Sequence, residues 1–312
     1  MKLGLGIVGL GPSWDTRHGP ALRALSDRFT VRAICAPVAQ RAAQVARQFG
    51  GRTEDGYQAL ASREDIDAIV LLSADWYGPL PLLAACQCGK AIYCAVALEL
   101  DPDQARSIKA RVEQAGIAFM AELPCRQAAA TLRLKELIAT QLGPPRLLFC
   151  HQRCVAGDGA GQTRMSRMRH LIEAVDWCRY IVGRDPTSVM GLVHKSQYSN
   201  PAEDYQMMSL EFAAPAESST GVVAQISCGR YVSAQWHEAA SFRPPADLQV
   251  VCQNGIAFID LPSTLIWFDP AGRHMESLDS ERPLNEQLLA QFHRAVTSLV
   301  RDTSNLEDTY RA

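Results

Sequence analysis

Apolar positions in the first 120 residues fall into short runs: 3–9, 30–35, 66–72, 91–94 and 117–120. Helical stretches separate them. One begins at 21–25, one covers 39–49 and closes on Gly50-Gly51, and one covers 79–88 and closes on Gly89. Asp101-Pro102-Asp103-Gln104 reads as an N-cap with proline in the first turn, opening a helix that runs to Gly116. Short apolar strands alternating with helices predict βαβ units and a doubly wound parallel sheet covered on both faces.

After Pro124 the rhythm changes. A helix is predicted over 127–141, a strand over 146–150, a glycine-rich loop over 156–162 and a helix over 165–182. Strand-like runs then follow one another at 187–194, 204–213, 220–232, 247–252 and 255–260, before a last helix over 284–299. Strands in succession without intervening helices predict an open mixed, mainly antiparallel sheet. The fold class is therefore α/β in two domains, 1–122 and 123–312, with the boundary near Glu122-Leu123-Pro124.

Composition narrows the function classes. Hydrophobic residues make up 47% of the 312, charged residues 21%, and the net charge is −2. That composition excludes a disordered chain, and it lacks the basic excess of a nucleic-acid partner. No apolar run reaches the ~18 residues of a membrane span. The N-terminus reads as a strand rather than a signal peptide. Ten cysteines sit mostly inside apolar runs, which predicts free, buried thiols and a cytoplasmic protein. Cys150-His151-Gln152-Arg153-Cys154 lacks a second ligand pair at finger spacing, so no metal is expected there.

Ile7-Val8-Gly9-Leu10-Gly11 ends the first strand and precedes the first helix, the context of a dinucleotide turn. Its third glycine belongs at position 14, which is Trp14, and the acid that reads ribose hydroxyls belongs near position 36, which is Ala36. The turn fits a bound dinucleotide, and it equally fits a tight turn in any doubly wound sheet.

Taken with His18, Gln40-Arg41-Ala42, Ile66-Asp67-Ala68-Ile69-Val70, Gly89-Lys90-Ala91-Ile92-Tyr93-Cys94, Arg126 and Asp176-Trp177, this turn gives the chain a resemblance to the Gfo/Idh/MocA oxidoreductases. The resemblance implies an N-terminal Rossmann domain and a C-terminal α/β domain. It implies NAD or NADP as cofactor and a small sugar- or polyol-like substrate between the domains. In the family, a lysine of an EKP motif and a histidine of an HxxD motif handle the hydroxyl proton. Here the EKP stretch reads Ala95-Val96-Ala97, with Val96 at the lysine position, and counting back from Asp176 puts Glu173 at the histidine position. His170 lies about one helical turn earlier, and a one-residue insertion precedes His18.

The replacements suggest candidate roles. Glu173 and Asp176 share a helix face and, with His170, are the candidate proton-handling groups; Arg169 and Arg179 offer them ordinary helix ion pairs instead. Candidate cofactor contacts are Gly9, Gly11, Pro12, Ser13, Trp14, Ala36, Arg41, Ser73, Ala74, Trp76 and Ala95. Trp14 has two uses open to it, stacking on adenosine or packing under the first helix. Arg41 either meets a 2′-phosphate or lies on a solvated helix face. Val96, Arg126, Arg167 and Arg169 are the candidate substrate contacts, and a basic loop there suits an anionic ligand.

The expected function is a divergent NAD(P)-dependent oxidoreductase acting on a small hydroxylated or carbonyl compound. The alternatives are a catalytically inactive member that binds a ligand or partner, and a non-redox enzyme using Glu173 and Asp176. A homodimer or higher homo-oligomer through the C-terminal sheet is expected, with no nucleic-acid or membrane partner.

Overall fold

The computed structural model describes residues 1–74, 76–96, 98, 100–153, 164–194, 205–214, 221–229, 245–278, 282–298 and 304–312. They form two compact units, Met1–Glu122 with Arg282–Ala312, and Leu123–Glu281.

The first unit holds a six-stranded sheet of β1 (Leu3–Val8), β2 (Phe29–Cys35), β3 (Arg52–Thr53), β4 (Ala68–Leu71), β5 (Ala91–Cys94) and β6 (Phe119–Ala121). The order is β3-β2-β1-β4-β5-β6 and every pairing is parallel. The strands β1, β4 and β5 are buried along their whole length, as helices on both faces demand. Strand order reverses between β1 and β4, and ligands of such sheets bind at the carboxyl ends beside that point.

Its helices are α1 (Gly19–Ala24), α2 (Ala39–Phe49), α3 (Tyr57–Ala61), α4 (Leu80–Gln87) and α5 (Pro102–Ala115). In α2, Ala42, Val45 and Ala46 at helical spacing go inward. At the start of α5 the Asp101 carboxylate accepts from the N–H groups of Asp103 (3.0 Å) and Gln104 (2.8 Å), and Gly116 closes the helix in the left-handed region, as the sequence predicts. The insertion before His18 takes the form of a π turn, Trp14–His18, in which His18 N–H donates to Ser13 O (3.3 Å) across five residues. A helical ladder absorbs an extra residue by this widening.

The sequence reading assigns everything after 122 to the second domain. The structure returns the last segment to the first unit, because α9 (Leu284–Thr297) carries Leu288, Leu289 and Phe292 into the same core as Leu3 and Tyr93. The Phe292 and Tyr93 rings meet edge to face at 5.4 Å. A short α10 (Ser304–Arg311) follows, and the Asn305 side chain accepts from Ala121 N–H of β6 (2.6 Å).

The second unit holds α6 (Pro124–Gln127), α7 (Ala129–Leu137), α8 (Arg164–Val182) and an eight-stranded sheet. Its strands are β7 (Pro145–Arg153), β8 (Ser188–His194), β9 (Tyr205–Phe212), β10 (Val222–Gly229), β11 (Leu248–Cys252), β12 (Ile256–Asp260), β13 (Thr264–Asp269) and β14 (Gly272–Ser277). The order is β14-β13-β12-β11-β7-β10-β9-β8, antiparallel except between β7 and β10. Leu148, Cys150, Ala224, Ile226, Leu248 and Val250 are buried. On the opposite face Leu147, Met190, Leu192, Met207, Val223, Phe268 and Met275 are exposed. The hairpin β13–β14 is an addition to the sequence reading, and the helix expected over 127–141 breaks at Ala128, whose backbone is extended. Among the described residues no helix is long and apolar enough to cross a membrane.

Candidate cofactor and active site

The first unit gathers the glycine turn and the exit of β4. Gly9 adopts φ +77°, and a Cβ there would lie 2.7 Å from both Ser73 Cβ and Ser73 O. A Cβ on Gly11 would lie 2.6 Å from Leu72 O. Only glycine fits either place. Gly9 N–H donates to Cys35 O (2.8 Å), so the turn is pinned to the end of β2 as well. Among the described residues, the N–H groups of Leu10, Gly11 and Ser13 meet no acceptor. A turn of unmatched backbone donors beside Ser73 and the buried Ala74, at the carboxyl end of β1, is a cradle for pyrophosphate oxygens. The residues present fit a dinucleotide at that end.

Trp14 is a correction to the stacking option. Its ring is 1% exposed, belongs to the core and meets Phe49 edge to face at 5.5 Å. The side chain that replaces the third glycine fills space under the first helix and has no face to offer a nucleotide. Trp76, by contrast, is 80% exposed on the loop after β4. Arg41, third residue of α2, is ion-paired with Asp15 (Nη2 to Oδ2, 3.0 Å). Ala36 brings no acid, and beside it Tyr77 Oη meets Cys35 Sγ at 3.6 Å while its ring meets Tyr57 at 5.5 Å. Burial, then the contact with Cys35, pushes the Tyr77 hydroxyl up to about 12. Burial also raises the Cys35 thiol, against the opposing contact with Tyr77.

At the end of β5, Ala95 is buried with its N–H on Leu71 O (2.9 Å), and Val96 follows with its carbonyl accepting from Cys94 Sγ (3.4 Å). A valine side chain transfers no proton. The sequence reading used Glu122 only as a boundary. The structure makes it the centre of a buried array: its Oε2 meets His18 Nε2 at 3.0 Å and its Oε1 accepts from Arg17 Nη2. Arg17 also donates through Nε to Asn285 Oδ1 at the start of α9 (3.1 Å). Position after a strand end was the available signal for Glu122, whereas Asn285 lies far off in sequence.

In the second unit, α8 carries the other candidates. Glu173 accepts from Arg169 Nε at 2.6 Å, the i,i+4 pairing that the spacing allows. Asp176 is buried, takes Arg126 Nε on Oδ2 at 2.6 Å and Arg126 Nη2 on Oδ1, and has Arg179 at 3.8 Å. Arg126 also lies over the Tyr180 ring, 5.1 Å from its centre. This two-pronged pair fixes α6 against α8. His170 is half-buried on the same helix. The side chain of Arg167 and the loop over 156–162 lie outside the described residues. Proton transfer through Asp176 would first require breaking a buried ion pair, and Glu173 is likewise held by a guanidinium. Burial, with the Glu173 charge next, holds the Cys125 thiol well above its usual range. Cys150, the next thiol along, points into the core of the second sheet, while His151 beside it bonds Ser227 Oγ through Nδ1 (2.7 Å).

Comparison with known proteins extends this geometry. Residues 3–123 match the model described as the oxidoreductase family GFO_IDH_MocA, NAD-binding Rossmann fold. An inositol 2-dehydrogenase of Cereibacter sphaeroides is 24% identical over 293 residues, covering 90% of this chain and 84% of that one. An oxidoreductase of Thermotoga maritima superposes with a TM-score of 0.82 at 16% identity, over 100% of this chain and 93% of that one. An oxidoreductase of Agrobacterium radiobacter, solved with NAD+, L-tartaric acid and magnesium, superposes at 0.79 with 16% identity, again over 100% and 93%. The strand order, the glycine turn and the family match lead to one statement: residues 3–123 match the NAD-binding Rossmann domain of the Gfo/Idh/MocA oxidoreductase family.

Proposed function

We propose that the protein is a divergent NAD(P)-dependent oxidoreductase of this family, acting on a small hydroxylated or carbonyl substrate of sugar or polyol type. The observation that carries the reading is the Gly9–Ser13 turn, with its unmatched N–H donors packed against Ser73. The inositol 2-dehydrogenase relative supports the substrate class. The nicotinamide, when bound, supplies the hydride chemistry. The chain supplies the rest. Leu10, Gly11 and Ser13 hold phosphate oxygens, Ser73, Ala74 and Ala95 line the strand ends, and Arg169 attracts a polar or anionic substrate. With Val96 in the lysine position, the hydroxyl proton passes to Glu173 or His170 of α8.

A second reading rests on a specific observation: Val96 carries no proton, Asp176 is locked to Arg126, and Glu173 is paired with Arg169. It makes the protein a nucleotide- or ligand-binding member without turnover. Calorimetric titration of nucleotide-stripped protein with NADH and NADPH, followed by a polyol and sugar-acid dehydrogenase screen, separates the two. Micromolar binding with turnover that falls in Glu173→Gln supports the enzyme. Binding without turnover supports the second reading, and no binding at millimolar nucleotide overturns both.

A further inference from the structure

The end of β2, Cys35-Ala36-Pro37, has no carboxylate, although in this kind of sheet the adenosine ribose lies over that strand end. The structure brings one from another element. Asp15 is the second residue of the π turn that follows the glycine turn, and its side chain is 76% exposed. Its Oδ2 lies 3.0 Å from Nη2 of Arg41, which sits in the first turn of α2, just past the end of β2. The pair therefore bridges the turn that follows β1 and the turn that follows β2, the two segments between which the ribose is held.

The charge pattern around it is consistent. Arg41 is the cation available there for a 2′-phosphate, and Asp15 already neutralises it. Asp55, from the segment after β3, adds negative field at Cys35, while its neighbour Glu54 is already paired with Arg63 (2.6 Å). A dianionic 2′-phosphate at this place meets carboxylates and a compensated guanidinium. A 2′-hydroxyl meets an acceptor. The bridge is solvent-exposed, and such pairs are weak, so Asp15 is free to exchange part of its bond to Arg41 for ribose hydroxyls.

We propose that Asp15 performs the ribose-reading role that position 36 has lost, and that the bridge with Arg41 makes the site select the dinucleotide with a free 2′-hydroxyl, NAD(H), over its 2′-phosphorylated form. The inference rests on the nucleotide-binding reading above. Equilibrium titration by nicotinamide fluorescence tests it on wild type, Asp15→Ala and Asp15→Ala/Arg41→Ala, each checked for folding by thermal melt. Wild type is expected to bind NADH at least about tenfold tighter than NADPH. Asp15→Ala is expected to gain about tenfold for NADPH, and the double variant to lose that gain; tenfold corresponds to about 1.4 kcal/mol. Equal affinities in wild type, or an unchanged ratio in Asp15→Ala, would overturn the role of Asp15. Failure of folded wild type to bind either nucleotide overturns the nucleotide reading itself, a different result from loss of selectivity.

Discussion

Trp14 has two possible uses on the page of the sequence and one in the molecule. A large ring at the third glycine position is equally suited to stacking on a nucleotide or to filling the gap that a glycine leaves. Sequence spacing does not separate them, because the deciding partner, Phe49, lies at the far end of α2. Removal of the buried ring by Trp14→Ala is expected to cost about 3–5 kcal/mol of unfolding free energy, the usual range for a core aromatic, with urea denaturation as the measurement. Had the ring been a nucleotide platform, stability without nucleotide would hardly change. Asp247 carries a prediction in pH. Burial raises its carboxyl above the ordinary value despite the bond from Leu261 N–H (2.8 Å). A raised carboxyl means that folding favours the protonated form, so the group costs stability as pH rises through its folded value. Asp247→Asn keeps an acceptor for Leu261. It is expected to raise the melting temperature at pH 7, with the gain vanishing below the unfolded carboxylate range in a melt series.

Among the elements, most of the βαβ half was legible because glycine, proline or a cap bounds most of its elements, as at Asp101 and Gly116, whereas the two-residue β3 and the five-residue α3 are too short to show a period. The π turn was legible only as an insertion; its geometry follows from keeping His18 in place after one extra residue. The hairpin β13–β14 had a signal that goes beyond alternation: Asp269-Pro270-Ala271-Gly272, in which Asp269 Oδ1 accepts from Ala271 N–H (2.8 Å) and Gly272 takes φ +119°. The ion pair of α6 with α8 was not legible at all. Helix spacing brought Glu173 and Asp176 to one face, but the partner of Asp176 is fifty residues away in sequence. Arg126→Ala takes the two-pronged partner from the buried Asp176 carboxylate, with Arg179 still at 3.8 Å, and is expected to destabilise the fold by about 3 kcal/mol, while Arg126→Met/Asp176→Leu is expected to lose far less. If both variants fall equally in a denaturant titration, packing rather than charge explains the pair.

At the scale of the whole chain, hydrophobic periodicity placed α9 correctly as a helix, but its place after residue 122 put it in the wrong domain. Its apolar stripe fits either unit, and the structure seats it on the first. The second sheet leaves one face of Leu147, Met207, Val223 and Phe268 exposed, an apolar surface of the kind that marks an interaction site. We expect a second copy to cover it. Light scattering at micromolar concentration should give at least twice the 34.2 kDa chain mass, and Met207→Asp/Val223→Asp should return the protein to a monomer; a monomeric wild type would remove that expectation.

The buried thiols have a practical consequence. Cys35 and Cys94 lie in the core of the first unit, and Cys125, Cys150, Cys178, Cys228 and Cys252 in that of the second. A thiol reagent reaches them only when the surrounding core opens, so each sulfur is a clock for its own unit. Mass-resolved labelling under native conditions should show whether the units open together or in turn. Added NADH should slow the clocks at Cys35 and Cys94 if the nucleotide binds where the glycine turn lies. The same sulfurs make refolding sensitive to air, since chains caught open can cross-link, and a reducing buffer should therefore improve recovery after thermal unfolding.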